Sequence, residues 1–170
     1  TKYYYQVTAL NGNGESVKSA EVSATTDAVP VINVAAAASS NPVLGTTVTL
    51  SVSGTDDGGA GNLTYNWVTT GTPPASVTFG VTNGTSSGYS LTATFVASGS
   101  YSFQVAVTDT LGLATTSAVN VTVNQTLTSI VVSPSSVSIS VNGTQQFSAT
   151  GKDQFGLSMA SPPTFTWSVV

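Results

Sequence analysis

The sequence contains no histidine, no cysteine and no arginine, and its three basic residues are Lys2, Lys18 and Lys152. Zinc, haem and iron–sulfur sites usually need His or Cys ligands, and nucleophilic triads are usually built on the same residues, so none of these sites is expected. The formal net charge is −4, which excludes the clustered Lys and Arg of a nucleic-acid-binding surface. The composition therefore allows two interpretations, namely catalysis by Asp and Glu carboxylates or no catalysis at all.

Long apolar runs are also absent, since no stretch of about 18 consecutive apolar residues occurs and membrane insertion is therefore not expected. The first residues lack the charged and apolar regions of a signal peptide, so the signal of a secreted parent is expected upstream. Apolar residues nevertheless make up 40% of the chain, which predicts a packed core rather than disorder. The 25 Ser and 28 Thr predict a hydroxyl-rich, charge-poor surface.

Apolar residues alternate with polar ones at a period of two, which predicts an all-β protein with one face of each strand directed inward. Clusters rich in Gly, Asn and Asp separate these runs and are typical of turns. The alternating apolar positions are Tyr3, Tyr5, Val7 and Ala9; Val48, Leu50 and Val52; Leu63, Tyr65 and Trp67; Val77, Phe79 and Val81; Tyr89, Leu91, Ala93 and Phe95; Tyr101, Phe103, Val105 and Val107; and Val119, Val121 and Val123.

Two short motifs occur twice, about one domain length apart. The segment YYYQV at residues 3–7 is similar to YSFQV at 101–105, and LTYNW at 63–67 is similar to PTFTW at 163–167. These repeats predict tandem immunoglobulin-like β-sandwiches, one complete and two partial. In that layout Trp67 lies on strand C, and Tyr3 and Tyr101 are placed to form tyrosine corners.

Residues 1–27 resemble the last two strands of a fibronectin type III domain, on the segments TKYYYQVTALN at 1–11, GES at 14–16 and EVSATT at 21–26. Residues 28–124 resemble a PKD-type domain, on LTYNW at 63–67 and GSYSFQVAVTD at 99–109. That family usually follows its Trp with an Asp-Phe-Gly-Asp-Gly run, whereas VTTG stands here at 68–71. The middle unit is therefore described as PKD-like.

Residues 125–170 resemble the first half of a bacterial immunoglobulin-like group 2 domain. The residues that carry this resemblance are LTSIVVSP at 127–134, NGTQQF at 142–147, DQFG at 153–156 and FTWSV at 165–169. The three resemblances together imply a bacterial secreted or cell-surface protein built from several modules. Such modules act as spacers and sometimes as binding units in adhesins and polysaccharide-degrading enzymes.

Asp56 and Asp57 are the only adjacent carboxylates, and they precede the Trp67 strand in a Gly-rich turn. Two neighbours on one loop do not easily give the acid and base pair of a glycosidase, which faces across a cleft. We predict a solvated turn with no resident metal or cofactor and no catalytic residues, so the chain is not expected to be an enzyme. The alternative is a calcium ion held by Asp56 and Asp57 with carbonyl groups of residues 58–62. Asp109 and Asp153 are predicted to cap turns.

Trp67 and Trp167 are predicted to be core residues, since each alternates with an aromatic residue on one face. Tyr4 points away from Tyr3 and Tyr5 and is expected on the outer face, where a single Tyr is a weak platform for a sugar ring.

The leading functional hypothesis is a non-catalytic spacer array outside the cell or on its surface. Its expected partners are neighbouring β-sandwich domains or copies of the same chain. One alternative is a carbohydrate-binding module that takes a polysaccharide. Another is a subunit of an extracellular filament, in which the C-terminal strands of one copy accept the N-terminal strands of the next by strand complementation.

Overall fold

The computed structural model of the chain describes residues 1–169 and confirms the all-β fold class. Thirteen strands follow one another, and the only helical segments in that range are two short 3-10 turns, Ala60–Asn62 and Ser86–Tyr89. The strands are β1 (Lys2–Tyr5), β2 (Leu10–Asn11), β3 (Gly14–Glu15), β4 (Val22–Thr25), β5 (Val31–Ala38), β6 (Thr47–Thr55), β7 (Thr64–Thr70), β8 (Thr78–Phe79), β9 (Ser90–Thr94), β10 (Gly99–Thr108), β11 (Ala114–Val123), β12 (Leu127–Ser133) and β13 (Ser148–Asp153).

Strands β5 to β11 form a two-layer sandwich in the immunoglobulin-like order. One sheet has the order β5-β6-β9-β8, and the other has the order β11-β10-β7. Between β5 and β6 the chain crosses to the second sheet, where Val43 pairs in parallel with Val123. The Val43 amide donates to the Thr122 carbonyl at 2.8 Å. Thr115 near the start of β11 donates to the carbonyl of Pro30 just before β5, so the start of β5 and the end of β11 lie at opposite ends of the sandwich.

The core of the sandwich follows the predicted alternation. Along β10 the side chains of Tyr101, Phe103, Val105 and Val107 are fully buried. Trp67 on β7 is 1% exposed, as predicted for a core residue. The Tyr101 hydroxyl donates to the carbonyl of Ala97 at 2.8 Å, which is the predicted tyrosine corner.

Several other alternating positions are exposed. Val81 is fully exposed because β8 ends at Phe79 and the chain turns away. Tyr89 ends a 3-10 turn and packs edge-on against Tyr65 from outside, with ring centroids 6.2 Å apart. Tyr3 is 50% exposed, and its hydroxyl makes no hydrogen bond within residues 1–169, so the predicted corner is not formed among the residues described.

The segments on either side of the sandwich are single-layered. In the N-terminal segment β1 pairs with β4 and β2 pairs with β3, and Tyr3, Tyr5 and Val7 are exposed. In the C-terminal segment β12 pairs with β13 alone, and Trp167 is 56% exposed. The prediction that Trp167 is a core residue is wrong in this chain, because no second sheet within residues 1–169 packs against that face.

Candidate functional site

Four of the five Asp residues lie at the end of the sandwich where β5 begins, here called the N-terminal junction. It is formed by Asp27 in the segment before β5, Asp56 and Asp57 after β6, and Asp109 after β10. One carboxylate oxygen from each of Asp27, Asp56 and Asp57 lies within 4.8 Å of the other two. The structure therefore brings the two residues singled out in the sequence together with Asp27, which sequence reasoning missed.

The Asp56 loop has a defined shape because its own polar groups bond locally. Asp56 Oδ2 accepts the Gly58 amide at 3.0 Å, and the Asp56 carbonyl accepts the Gly59 amide at 3.1 Å. Gly59 has a φ of 96°, a value that favours glycine. The carbonyl of Gly58 accepts Asn62 Nδ2 at 2.7 Å, and that of Gly59 accepts the Asn62 amide. Three of the five carbonyl groups expected as calcium ligands, those of Gly58, Gly59 and Ala60, are thus already hydrogen-bonded within the loop.

Asp109 caps the turn between β10 and β11. Its Oδ1 accepts the amides of Leu111 at 2.8 Å and Leu113 at 2.9 Å, while its own amide donates to the Leu113 carbonyl. The residue is only 7% exposed. Capping therefore occupies one carboxylate oxygen and holds the side chain rigidly within the junction.

Two carboxylate oxygens of this junction are buried without a hydrogen-bond partner, namely Asp56 Oδ1 and Asp109 Oδ2. A buried charged oxygen without a partner is costly, because it has lost water and gained nothing in exchange. Partial desolvation and the negative charges of Asp109, Asp57 and Asp56 raise the pKa of Asp27. No Lys or Arg occurs between Lys18 and Lys152, so the loops of the sandwich contain no basic side chain to balance these charges.

The opposite end of the sandwich, here called the C-terminal junction, is closed by direct hydrogen bonds. Gln154 Nε2 donates to the Asn124 carbonyl at 2.7 Å, and Gln154 Oε1 accepts the Thr126 amide at 2.8 Å. Thr126 Oγ1 donates to the carbonyl of Leu44 in the sandwich at 2.9 Å. Phe155 packs against the hydrophobic core of the sandwich. These contacts attach the β12–β13 sheet to the sandwich.

Asp153 at this junction is fully satisfied. Its Oδ1 accepts the amides of Phe155 and Leu157, and its Oδ2 accepts Gln125 Nε2 at 2.8 Å. Burial raises the pKa of the Asp153 carboxyl, but these hydrogen bonds and the charge of Lys152 outweigh it, so the pKa lies below its ordinary value. The turn-capping geometry expected for Asp153 is present, together with a partner, Gln125, that the sequence did not indicate.

The three aromatic residues considered for sugar stacking, Trp67, Trp167 and Tyr4, lie in different parts of the chain. Trp67 is buried, and its Nε1 donates to the Gly88 carbonyl at 2.9 Å. Trp167 lies with Val132 and Phe147 in an open groove on the C-terminal sheet. Tyr4 is exposed to the same degree as Tyr3 and Tyr5, and Lys2 Nζ lies 5.1 Å from the centre of its ring.

The model of the K319L-like PKD domain family matches residues 36–123 of the chain. The match spans more than half of the chain, and the chain belongs to this family. It confirms the PKD-like resemblance of the middle unit and contains the sandwich core together with Asp56, Asp57 and Asp109. The fibronectin type III and group 2 resemblances of the flanking segments stay predictions. No curated protein matches the chain in sequence.

Several solved structures are similar to parts of the chain. Drosophila OTK, extracellular domains 3–5, has 18% identity and a TM-score of 0.47 over 72% of this chain. Domains 4 and 5 of the S-layer protein SbsC have 26% identity and a TM-score of 0.36 over 61% of this chain. The chain spans 40% of the OTK chain and 58% of the SbsC chain. Within residues 1–169 no helix has the length and apolar character needed to cross a membrane.

Proposed function

We propose that the chain is a structural spacer within a longer bacterial protein that is secreted or displayed on the cell surface. In this role the PKD-like sandwich and its flanking β-segments hold other domains at a fixed distance, and none of them acts on a substrate. Membership of the PKD-like family supports the proposal, and the resemblances of the flanking segments to other extracellular modules agree with it. The domain boundaries at residues 27 and 124 belong to the same proposal.

The observation that carries this proposal is the C-terminal junction. A spacer must resist bending where its modules meet, and here Gln154 Nε2 donates to the Asn124 carbonyl and Thr126 Oγ1 donates to the Leu44 carbonyl, which both belong to the 28–124 unit. Phe155 adds an apolar contact with the core of the sandwich. Hydrogen bonds in several directions together with an apolar contact restrict bending and twisting at the junction.

The test measures the relative orientation of the two parts by NMR residual dipolar couplings in the full chain. We expect β5–β11 and β12–β13 to share one alignment tensor in the wild type and to separate in Gln154→Ala. Gln145→Ala is the matched control, since among residues 1–169 the Gln145 side chain bonds only to the neighbouring Gln146 carbonyl. Independent tensors in the wild type would contradict a stiff spacer.

A second candidate function is head-to-tail assembly of copies of the chain, and the exposed apolar grooves at its two ends favour it. Tyr5, Val7 and Val22 line a groove on the N-terminal segment. Val132, Phe147 and Trp167 line another on the C-terminal segment. Each groove lies on a two-stranded sheet, and such a sheet has unpaired edges that can accept a further strand.

A further inference from the structure

A cavity of about 400 Å³ opens at the side of the sandwich, where β6, β7 and the two 3-10 turns meet. It lies beside the N-terminal junction, because the turn Ala60–Asn62, which follows Asp56 and Asp57, forms one of its walls. Its volume falls in the range of about 300 to 1,000 Å³ that is typical of small-molecule sites. Such sites combine an apolar surface with a few polar groups that orient the ligand.

One wall of the cavity is a strand edge that has no partner strand. β9 pairs with β6 only as far as Ser51, whereas β6 continues to Thr55. The Thr49 carbonyl bonds on the β5 side, and alternate residues of a strand bond on the same side, so the backbone groups of Val52 and Gly54 face the side that β9 has left. No hydrogen bond from the second 3-10 turn replaces β9 there within residues 1–169. The cavity wall therefore offers backbone N–H and C=O groups to a ligand.

Residues with hydroxyl groups are concentrated around the cavity. Those that line it are Ser53, Tyr65, Ser86 and Tyr89. None of these four hydroxyl groups has a hydrogen-bond partner within residues 1–169. Each hydroxyl group can donate one hydrogen bond and accept others. The cavity can therefore bond to a ligand that itself carries several hydroxyl groups.

Tyr65 is the buried member of this group, since the residue is only 4% exposed. Its hydroxyl has no hydrogen bond of ordinary geometry, yet its oxygen is not sealed inside the protein as Asp56 Oδ1 and Asp109 Oδ2 are. The hydroxyl is therefore open to the cavity that this side chain lines. Burial raises the pKa of the hydroxyl more than the nearby Gly54 amide lowers it, which agrees with a poorly solvated group. A hydroxyl in such a wall favours a polar occupant of the cavity.

Tyr89 adds an apolar surface to these polar groups. Its ring lies at 73° to the ring of Tyr65, with the ring centroids 6.2 Å apart, and this edge contact leaves the residue 54% exposed. An aromatic ring with a free face can pack against the C–H groups of a sugar ring, while its hydroxyl bonds to water or ligand. Tyr89 therefore combines the two properties that sugar binding requires.

The charges around the cavity favour a neutral ligand. None of the residues that line it carries a charge at neutral pH. Asp56 and Asp57 follow Gly54 by two and three positions, and no Lys or Arg occurs between Lys18 and Lys152. The local field is therefore negative, and it repels carboxylate, sulfate and phosphate groups.

We propose that this cavity binds one residue of a neutral sugar chain. The sugar ring packs on Tyr89, and its hydroxyl groups bond to Tyr65 and to the free backbone groups of β6. A peptide strand fits less well, because a strand of ordinary length spans about 17 to 20 Å. The turn Ser86–Tyr89 occupies the path along which β9 would continue, so an added strand has no room beside β6. Binding of a sugar does not rest on the proposed spacer function.

Binding is tested first, by NMR titration of the full chain with cellotriose, xylotriose, mannotriose and N-acetylchitotriose. With at least one of them we expect saturable shifts of the amide signals of residues 53, 54, 86 and 89, with a dissociation constant on the order of 10⁻³ M. Trigalacturonic acid should bind more weakly, because it is an anion. Equal affinity for free glucose would assign the site to a single sugar rather than to a chain. A folded wild-type chain that shows no such shifts at about 20 mM of any of the four sugars overturns the site.

Three variants then locate the sugar. Tyr89→Ala removes the exposed ring and should weaken binding at least about tenfold. Tyr65→Phe removes only the hydroxyl and should weaken binding about two- to tenfold. Tyr4→Ala is the matched control, since Tyr4 is 58% exposed and lies on the N-terminal segment, and it should leave binding unchanged.

Circular dichroism and the urea midpoint show that each variant is folded. If Tyr89→Ala does not fold, Tyr65→Phe still tests the cavity, because it keeps the buried ring. Undiminished binding in the folded variants would place the sugar elsewhere and overturn the proposal. A triserine peptide that shifts the same amide signals at a lower concentration than every sugar would overturn it in favour of a peptide. None of these results depends on the Gln154→Ala experiment.

Discussion

Trp67 is buried in the core of the sandwich, and its indole N–H is hydrogen-bonded within the protein. Nε1 donates to the carbonyl of Gly88 at 2.9 Å. A Cβ atom at position 88 would lie 2.7 Å from the carbonyl oxygen of Tyr65, so only glycine lets the 3-10 turn approach β7 this closely. Asn83 adds a pair of hydrogen bonds to the Trp67 backbone. The hydrogen bonds of the Trp67 ring and backbone therefore fix the position of the β8–β9 connection.

We expect Trp67→Ala to lower the free energy of unfolding by about 3 to 5 kcal/mol, because it removes a fully buried ring and leaves a cavity. Trp167→Ala is the matched control and should change the unfolding midpoint little, since the Trp167 ring is 56% exposed. Urea denaturation followed by circular dichroism measures both. Equal losses in the two variants would contradict the assignment of Trp67 to the core and of Trp167 to the surface.

Asp153 gives the chain a defined sensitivity to acid. Its folded pKa lies below the ordinary value of 3.8, so the unfolded chain takes up the proton first as the pH falls. The stabilisation is therefore fully present above the unfolded pKa and is lost as the pH falls through the folded pKa. We expect the difference in unfolding midpoint between wild type and Asp153→Asn to be constant from about pH 5 to pH 7 and to shrink below about pH 4.

Scanning calorimetry across this pH range measures the difference. Glu21→Gln is the control, because Glu21 is exposed and makes no hydrogen bond with its side chain within residues 1–169. A difference between wild type and Asp153→Asn that stays constant down to about pH 2 would show that Asp153 has the same pKa in the folded and unfolded chains.

At the scale of strands, periodicity predicted the sandwich well because its strands are buried on one face. The alternating positions of β6, β7, β9 and β10 are buried as expected. The prediction was wrong at Val81 and Tyr89, where apolar residues continue the period beyond the end of a strand or into a 3-10 turn. Alternation describes a local period and carries no information on where the partner strand ends.

The candidate site was predicted only in part, for the same reason. Asp56 and Asp57 are adjacent in sequence and were recognised, whereas Asp27 and Asp109 join them only through the register of β5 with β6 and the position of β10 in the other sheet. The sequence alone shows the similarity of SVSGTDDGG at 51–59 to SATGKDQFG at 148–156. That similarity points to Asp27 only in combination with the Gln125–Asp153 hydrogen bond, which is seen in the structure.

At the scale of the whole molecule, a packed two-layer sandwich is flanked by two segments that expose apolar residues. The sandwich buries its apolar residues between two sheets, while Tyr5 and Trp167 lie on single-layered sheets at the two ends. A contact between the head of one copy and the tail of another uses two different surfaces. It is heterologous, and it extends into a filament unless its rotation closes into a ring.

We therefore expect the average mass of the wild-type chain to rise with concentration, as measured by sedimentation equilibrium. Tyr5→Asp should block the head and Trp167→Asp the tail, because each buries a charge in an apolar contact, so either variant alone should stay monomeric. A mixture of the two should form one-to-one dimers and nothing larger, since each variant keeps the surface that the other has lost.

Val81→Asp, which adds the same charge at a fully exposed position, is the control. Self-association of Tyr5→Asp alone would indicate a symmetric tail-to-tail contact instead, and a wild type that stays monomeric at millimolar concentration would contradict head-to-tail assembly.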